Sequence, residues 1–248
     1  MLLIPGYEII RVLARNGCEL CEARSVKLGR IVALKVYMQD KACEAREAEA
    51  LVGLEHPNIL RYFEVGEVQG CQYFAFEHVE AETLAQRLRR GPLLANEARR
   101  VAILMTLALQ SIRKAGLAAC LSPADVFLTE PPKLYLYPAP IPRVDVSAPE
   151  EIFGELDAST ETADVYQVGA LLYMMLTCQP PVSLETLLET NKLARPVRVR
   201  KLNPAVDRAL DVICMKCLER APNNRYASLA TLFHVLSDTR RRTRWRWP

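Results

Sequence analysis

The chain has 248 residues, of which 50% are apolar and 25% are charged, and its formal net charge is +3. This is an ordinary soluble globular composition, sufficient for one large domain or two small lobes, and it predicts no membrane-spanning helix because no apolar run reaches ~20 residues. The start of the chain, Met1 to Pro5, lacks the basic flank and apolar core of a signal peptide. The sequence therefore predicts a cytoplasmic protein.

The positive charge is concentrated at the end of the sequence. Five arginines lie between Arg240 and Arg246, leaving 27 basic residues against 29 acidic ones elsewhere. The body is therefore mildly acidic, and we predict no nucleic-acid groove on it. Residues 239–248 form a predicted tail in which Arg240–Trp247 ends by alternating arginine with tryptophan. Such a tail suits a disordered terminus, an anionic membrane surface or, less well, single-stranded nucleic acid.

Eight cysteines include two Cys-x-x-Cys pairs, Cys18–Cys21 and Cys214–Cys217, which together have the ligands of a zinc site. The pairs lie almost a whole chain apart, and the second falls within an apolar helical pattern. A thiol on such a stripe is more often a small core residue. We therefore predict no metal site, and no structural disulfide in a reducing compartment.

The N-terminal part of the chain predicts a β-rich region with one helix. Turn signals at Leu28–Arg30 and Gln69–Gly70 separate segments of high β-propensity, and one segment is rich in good helix formers. The predicted strands are Tyr7–Leu13, Ile31–Met38, Leu60–Val68 and Gln72–Val79, and the predicted helix is Lys41–Leu54.

The remainder of the chain predicts helices. Thr83, Asn96 and Asn203 are predicted N-caps, the last of them followed by a proline, and Gly91 and Gly116 are predicted helix stops. The predicted helices are Thr83–Gly91, Asn96–Gly116, Thr162–Thr177, Asn203–Leu218 and Ala227–Asp238. The third of these is apolar on nearly every side, which predicts that it is buried.

Several short motifs occur in a fixed order along the chain. They are Val32-Ala33-Leu34-Lys35-Val36, Glu47, Leu54-Glu55-His56-Pro57-Asn58-Ile59, Ala148-Pro149-Glu150, Asp164-Val165-Tyr166 and Arg225-Tyr226. Their order and spacing resemble those of the eukaryotic-like (Hanks-type) serine/threonine protein kinase family. The resemblance implies an α+β, bilobal protein-kinase-like fold over residues 7–238, with a β-rich N-lobe at about 7–79 and a mainly helical C-lobe at about 80–238. Residues 77–80 would form the hinge, with Phe76 at the gatekeeper position.

The retained motif residues divide into two kinds. The resemblance implies that Lys35 and Glu47 form an ion pair, which either positions the lysine on nucleotide phosphates or only joins strand to helix. It also implies a buried ion pair between Glu150 and Arg225, and that Asp164 accepts backbone N–H groups of the catalytic loop. These last three residues support the fold rather than the chemistry.

The glycine-rich loop of the family is not retained. Its three glycine positions fall on Ala14, Asn16 and Glu19, in a register that is open by one residue. Glycines there let backbone N–H groups approach the phosphates. In this register Glu19 would place a carboxylate beside a polyphosphate, which it would repel by roughly 4 kcal/mol at ~4 Å.

The catalytic loop and the magnesium-binding motif are also replaced. Aligned on Pro123, the family's catalytic base position is Cys120, its lysine position is Ser122 and its asparagine position is Asp125, while Leu136 stands where a magnesium-binding aspartate is expected. A thiol without an activating neighbour is no substitute for the base, and a leucine cannot bind magnesium. Asp125 is either a cation ligand or, as we favour, a turn residue. We therefore expect no catalytic residue at these positions.

These losses predict a degenerate kinase, or pseudokinase, that acts as a non-catalytic regulator or scaffold by binding a protein partner, an active kinase among the candidates. The alternative is a divergent serine/threonine kinase or an ATP-binding protein with weak phosphotransfer, in which Lys35 and Glu47 keep a vestigial nucleotide site. We expect no cofactor, with ATP bound without magnesium as the open alternative. A third hypothesis, an adaptor tethered to a membrane, depends on the Arg240–Trp247 tail alone.

Overall fold

The computed structural model describes residues 3–15, 18–37, 45–119, 121–134, 146–153, 160–182 and 195–238. The strands are β1 (Tyr7–Arg15), β2 (Cys18–Ser25), β3 (Arg30–Tyr37), β4 (Tyr62–Val68), β5 (Cys71–Glu77), β6 (Val126–Phe127) and β7 (Lys133–Leu134). The helices are α1 (Ala45–Gly53), α2 (Leu84–Leu88), α3 (Ala95–Lys114), α4 (Pro149–Ile152), α5 (Glu161–Thr177), α6 (Val199–Leu202), α7 (Arg208–Cys217) and α8 (Leu229–Asp238). Two short 3-10 helices span Pro123–Asp125 and Pro222–Asn224.

The first five strands form one antiparallel sheet in the order β1-β2-β3-β5-β4, and α1 packs against β4. The connection between β4 and β5 is a two-residue turn in which Gln69 and Gly70 have φ values of 49° and 76°. Two consecutive positive φ values match the twist of a tight hairpin. Gly70 adopts such a value without steric cost, whereas Gln69 does so as a non-glycine residue. The predicted turn at this position is therefore confirmed.

Side chains alternate between the two faces of this sheet, and each face has its own core. On the outer face, Cys21 and Leu34 belong to a small cluster confined to the N-lobe. On the inner face, Ala33 and Phe74 belong to the main core, which continues into the C-lobe. The inner face is therefore the one that contributes to a site between the lobes.

Helix α5 is the buried centre of the C-lobe, as its apolar sequence predicts. Gly169 lies where α5 meets α7, and a Cβ placed on it would come within 2.4 Å of the Cβ of Cys217. The Cys214 thiol donates to the carbonyl oxygen of Gly169 at 3.6 Å, and both cysteines are fully buried. These two thiols are therefore small core side chains where the helices approach closely.

The two lobes are joined by more than the hinge. The N–H of Leu60, just before β4, donates to the carbonyl of Leu134 at 2.9 Å, and the N–H of Leu134 donates to the carbonyl of Asn58 at 2.8 Å. The Asn58 side chain also donates to the carbonyl of Pro132 at 2.9 Å. Strand β7 of the C-lobe is thereby fastened to the N-lobe segment that follows α1.

Two helices have N-cap residues that differ from the predicted ones. Helix α3 begins after Leu94 rather than after Asn96. The backbone N–H of Leu94 donates a hydrogen bond to the carboxylate of Glu97. Helix α7 begins after Asp207, whose carboxylate caps it, while Asn203 ends α6. Near α7 two residues of cap-forming type, Asn203 and Asp207, lie close together and the packed structure selects the second, whereas the N-cap of α3 is a leucine that no capping preference predicts.

The predicted α+β architecture, a β-rich lobe followed by a mainly helical lobe, is confirmed by the order of these elements. Within the ranges that the structure describes, no helix combines the length and the apolar character needed to cross a lipid bilayer.

Candidate functional site

Lys35 lies on the inner face of the sheet, where a nucleotide site would lie. It is paired with Leu20 of β2 and Phe74 of β5, and only 6% of the residue is exposed. Its ammonium nitrogen lies 5.3 Å from the centre of the Tyr37 ring. Lys35 is thus a buried lysine on the face that meets the C-lobe, and its role in binding nucleotide phosphates stays a prediction.

Glu47 lies in the first turn of α1 as described, and it is an exposed residue. An acidic residue in this turn interacts favourably with the helix dipole whatever else it contacts. The ion pair with Lys35 that the resemblance implies stays a prediction.

The expectation that Glu19 faces a phosphate is wrong. Glu19 pairs with Val36, one residue away from the pair formed by Leu20 and Lys35, so it belongs to the opposite face of the sheet. There the side chain accepts a hydrogen bond from Nε of Arg15 at 2.9 Å and is largely buried. The alignment of this segment with the family's glycine-rich loop is open by one residue. A shift of one residue moves a side chain to the opposite face of a strand.

A different carboxylate, Glu22, lies on the inner face. It pairs with Ala33, and its Oε2 is 2.5 Å from Nε of Arg11 and 3.9 Å from Nε2 of His78, a residue of the predicted hinge. Its side chain is only 13% exposed. Sequence reasoning missed this cluster, although the β2–β3 register that pairs Leu20 with Lys35 would have identified Glu22 as sharing the same face.

Phe76 lies at the end of β5, next to the predicted hinge. It pairs with Ala33, is 4% exposed, and its ring centre is 5.5 Å from that of Tyr62. The residue is therefore an aromatic component of the main core. It also closes the inner face beside Ala33.

The segment at the predicted catalytic loop is organised by two of its own side chains. Oδ2 of Asp125 accepts hydrogen bonds from the backbone N–H of Ser122 at 2.8 Å and from its hydroxyl at 2.6 Å. The Ser122 hydroxyl in turn accepts the N–H of Ala124 at 3.3 Å. Both side chains are buried, and together they cap the 3-10 helix that begins at Pro123. Asp125 thus caps this turn, and the alternative that it ligates a cation is not tested by these contacts.

The same segment is tied to α5 from the other side. Nε2 of Gln167 donates to the carbonyl of Ala119 at 3.3 Å, and Asp164 accepts a hydrogen bond from Nε of Arg113 near the end of α3. Burial raises the pKa of Asp164 to about 6, although the Arg113 guanidinium acts in the opposite direction. Asp164 thus connects α5 to α3 through a side-chain ion pair.

Glu150 and Arg225 are in direct contact. Two parallel hydrogen bonds of 2.6 and 2.8 Å join the guanidinium to the two carboxylate oxygens. Arg225 also donates to the carbonyls of Thr162, Glu219 and Arg220, so that all five of its N–H donors are used. Its guanidinium lies 4.9 Å from the Tyr166 ring centre. The pair is completely buried on the arginine side and joins three segments of the C-lobe.

Four sequence predictions fall on residues outside the described ranges: Asn16, Cys120, Leu136 and the Arg240–Trp247 tail. The described residues near Cys120 and Leu136 have defined surroundings. Ala119 and Leu121 are buried on either side of Cys120, and Leu134, two residues before Leu136, is held by the backbone bonds to the N-lobe. Among the described residues, no three His, Cys, Asp or Glu side chains come together as metal ligands.

Sequence comparison gives relatives among bacterial kinases, although no family model matches the chain. The chain is 28% identical, over 90% of its length, to a probable serine/threonine-protein kinase of Streptomyces coelicolor. It is 24% identical, over 89% of its length, to the serine/threonine-protein kinase PrkC of Bacillus subtilis. The chain spans 38% of the length of each of these curated relatives.

Structure comparison identifies the fold. The kinase domain of Mycobacterium tuberculosis PknI superposes with a TM-score of 0.80 at 23% identity, covering 96% of this chain and 97% of that domain. Rad53 residues 1–466 in complex with AMP-PNP gives a TM-score of 0.74 at 22% identity, covering 92% of this chain and 64% of that one. The predicted protein-kinase-like fold is therefore confirmed.

Proposed function

We propose that this chain, which has the protein-kinase fold and is similar in sequence to bacterial serine/threonine kinases, is a pseudokinase that regulates or scaffolds a protein partner without efficient phosphoryl transfer. An active kinase is one candidate partner. The proposal places the chain in the cytoplasm, where its partner would be found.

The observation that carries this proposal is the hydrogen bonding between Ser122 and Asp125. Relative to the family pattern, these residues stand at the catalytic-loop lysine and asparagine positions. Here one carboxylate oxygen of Asp125 accepts both the N–H and the hydroxyl of Ser122 inside the protein. An oxygen engaged twice in its own turn is a poor cation ligand, and a serine hydroxyl brings no positive charge to a phosphate.

The identities of two further residues support the same conclusion. Cys120 and Leu136 stand at the positions of the base and of the magnesium-binding aspartate. Phosphoryl transfer depends on positioning and on metal ions that neutralise the charge of the phosphates. A leucine supplies no oxygen ligand for that ion. Conversely, the retained Glu150–Arg225 pair contributes to the architecture alone.

The phosphotransfer proposal is tested by incubating the full chain with radiolabelled ATP and either magnesium or manganese, with casein as the acceptor. We expect no transfer above background. The variant Lys35→Ala removes the buried lysine of the inner face, and Lys27→Ala, at an exposed turn, is its matched control. Transfer that Lys35→Ala abolishes and Lys27→Ala preserves would overturn the proposal.

A divergent kinase or ATP-binding protein is the second candidate. The buried Lys35 on the inner face favours it, as do relatives named as kinases and a structural neighbour solved with AMP-PNP. A thermal-shift titration with ATP discriminates the two candidates. Nucleotide at 100 times its dissociation constant would add ~2.7 kcal/mol of stability. A shift that requires magnesium supports the kinase, a shift without metal supports an ATP-binding pseudokinase, and no shift at millimolar ATP excludes nucleotide binding in that range.

A further inference from the structure

A basic pocket lies on the C-lobe, on helices α6 and α7 and away from the inner face of the sheet. Its volume is about 410 Å³. It is lined by Arg198, Arg200, Lys201, Arg208, Asp211 and Val212. Four of these side chains are cations and one is a carboxylate, which leaves a local net charge of +3. The mildly acidic body predicted from the sequence thus has one strongly positive concavity, which residue counts alone do not reveal.

The carboxylate of the pocket, Asp211, holds Arg198 and the backbone of Arg200 in place and does not neutralise the other cations. Asp211 is buried, with a side chain only 3% exposed, and its Oδ2 accepts two hydrogen bonds from Arg198 at 2.6 and 3.1 Å. Its Oδ1 accepts the backbone N–H of Arg200 at 3.3 Å. Asp211 therefore fixes one arginine and the start of α6, and its charge is balanced by Arg198 alone.

The other three cations, those of Arg200, Lys201 and Arg208, are exposed to solvent. Within the described residues, no carboxylate lies within 4.0 Å of the charged groups of Arg200, Lys201 or Arg208. Arg208 is in addition the first residue of α7, where the helix dipole disfavours a cation. Three like charges grouped in this way repel one another, and an anion bound among them would relieve that repulsion.

We propose that this pocket binds a phosphorylated, acidic segment of a protein partner. Arginines form paired hydrogen bonds to phosphate oxygens, and clusters of arginine are a recurrent means of recognising phosphorylated peptides. The residues Leu202 of α6, Val212 of α7 and Val197, just before α6, add apolar surface and are between 39% and 50% exposed. A peptide supplies the apolar contacts that a free phosphate lacks, and a concave pocket suits a protruding side chain better than a flat membrane surface does.

This inference goes beyond the proposed function, because no residue of the pocket belongs to the face that carries Lys35. The pocket would bind its segment whether or not the chain transfers phosphate. The phosphotransfer assay and the binding experiment below therefore fail or succeed independently.

Fluorescence anisotropy tests the proposal with the full chain. The probe is a labelled heptapeptide with a central phosphothreonine between two glutamates on each side, compared with the same peptide carrying threonine. We expect the phosphopeptide to bind more tightly, with an affinity that falls as salt rises. The triple variant Arg200→Ala, Lys201→Ala, Arg208→Ala should bind it at least about tenfold more weakly, since charged hydrogen bonds are lost.

The matched control is Arg24→Ala, Lys27→Ala, Arg89→Ala, which removes the same charge from exposed positions elsewhere. It should change the affinity by no more than about twofold, because none of these three charges lines the pocket. Equal weakening in both triple variants would show an effect of overall charge and would overturn the proposal, as would a wild-type chain that binds neither peptide. The single reversal Lys201→Glu at an exposed position provides the same test if the triple variant does not fold.

A lipid surface is distinguished by sedimentation with phosphatidylserine vesicles. We expect the pocket variant and its control to sediment equally, whatever the Arg240–Trp247 tail contributes to both. If the pocket variant loses vesicle binding while phosphopeptide binding is unchanged, the pocket recognises lipid headgroups and the proposal is wrong.

Discussion

Two buried carboxylates of the C-lobe, Glu150 and Asp125, differ in how far along the chain their hydrogen-bond partners lie. Glu150 binds Arg225 through two parallel hydrogen bonds, and that arginine uses every donor it has. Asp125 accepts two hydrogen bonds from Ser122, which lies three residues before it in the same turn. The first carboxylate joins distant segments of the chain, whereas the second closes a local loop.

The difference bears on how much the fold depends on each carboxylate. Losing one member of a buried ion pair leaves the other charge stranded in the interior, at a cost that can unfold a domain of ordinary stability. Replacing a catalytic-loop residue leaves no such penalty if the new side chain can satisfy the turn. Ser122 and Asp125 do so.

The largest expected effect comes from breaking the distant pair. Arg225→Ala should lower the free energy of unfolding by about 3–5 kcal/mol, because Glu150 would remain buried without its partner. Urea denaturation measures the change. The control is Arg90→Ala, which breaks a solvent-exposed pair with Glu82 and should have a far smaller effect. Similar losses in the two variants would show that burial does not distinguish these pairs.

The next effect concerns pH and Asp164. Burial raises its folded-state pKa from 3.8 to about 6, so the folded chain binds this proton more tightly than the unfolded chain. Stability from this group therefore increases as pH falls through 6 towards 3.8. Between pH 7 and pH 4 the wild type should gain up to about 3 kcal/mol relative to Asp164→Asn, which cannot titrate.

Thermal unfolding of both proteins across that pH range gives the measurement for Asp164. Parallel curves would contradict the expectation, because they would mean that the pKa of Asp164 is the same in the folded and unfolded chains. A wild type that instead loses stability in acid relative to the variant would mean that the Arg113 ion pair, rather than burial, controls this carboxylate.

A smaller effect is expected at the contact between α5 and α7. Gly169→Ala would place a Cβ 2.4 Å from that of Cys217 and should destabilise the protein by about 1–3 kcal/mol through overpacking. Gly53→Ala is the matched control, since it also lies in a helix but has open space around it, and it should be neutral or slightly stabilising. Chemical denaturation of the two variants is sufficient. Equal stabilities would mean that the helices separate at little cost.

The smallest effect should follow from the local loop. Asp125→Ala removes the acceptor of two Ser122 hydrogen bonds and should cost about 1–2 kcal/mol. It should leave ATP-dependent thermal shifts unchanged, since the proposal gives Asp125 no role as a cation ligand. A magnesium-dependent shift present in the wild type and absent from this variant would assign the metal to Asp125 after all.

Much of the fold follows from local signals in the sequence. The β-rich first lobe, the Gln69–Gly70 turn and the buried α5 were all predicted from propensity and periodicity, because each depends on residues close together in the chain. Helix starts were less accurate. Asp207 rather than Asn203 caps α7, and neighbouring cap-forming residues are equivalent until packing selects one.

The site was harder to predict because it depends on register and on distant contacts. Glu19 and Glu22 are three residues apart, yet they lie on opposite faces of the sheet, and only the pairing of β2 with β3 shows which faces inward. The pocket on α6 and α7 involves cations up to ten residues apart whose grouping requires the turn between two helices. Arg113, the partner of Asp164, has no sequence signal that would have identified it.

The fastening of β7 to the N-lobe has a mechanical consequence. Backbone bonds from Leu134 to Asn58 and Leu60 join the lobes at a second point besides the covalent hinge, and an ion pair between Lys133 and Glu77 ties the same strand to the first residue of that predicted hinge. A body held at two points along one edge can rock about the line through them but cannot easily twist across it. We therefore expect the lobes to move relative to each other mainly by opening and closing at the inner face of the sheet, where Lys35 lies.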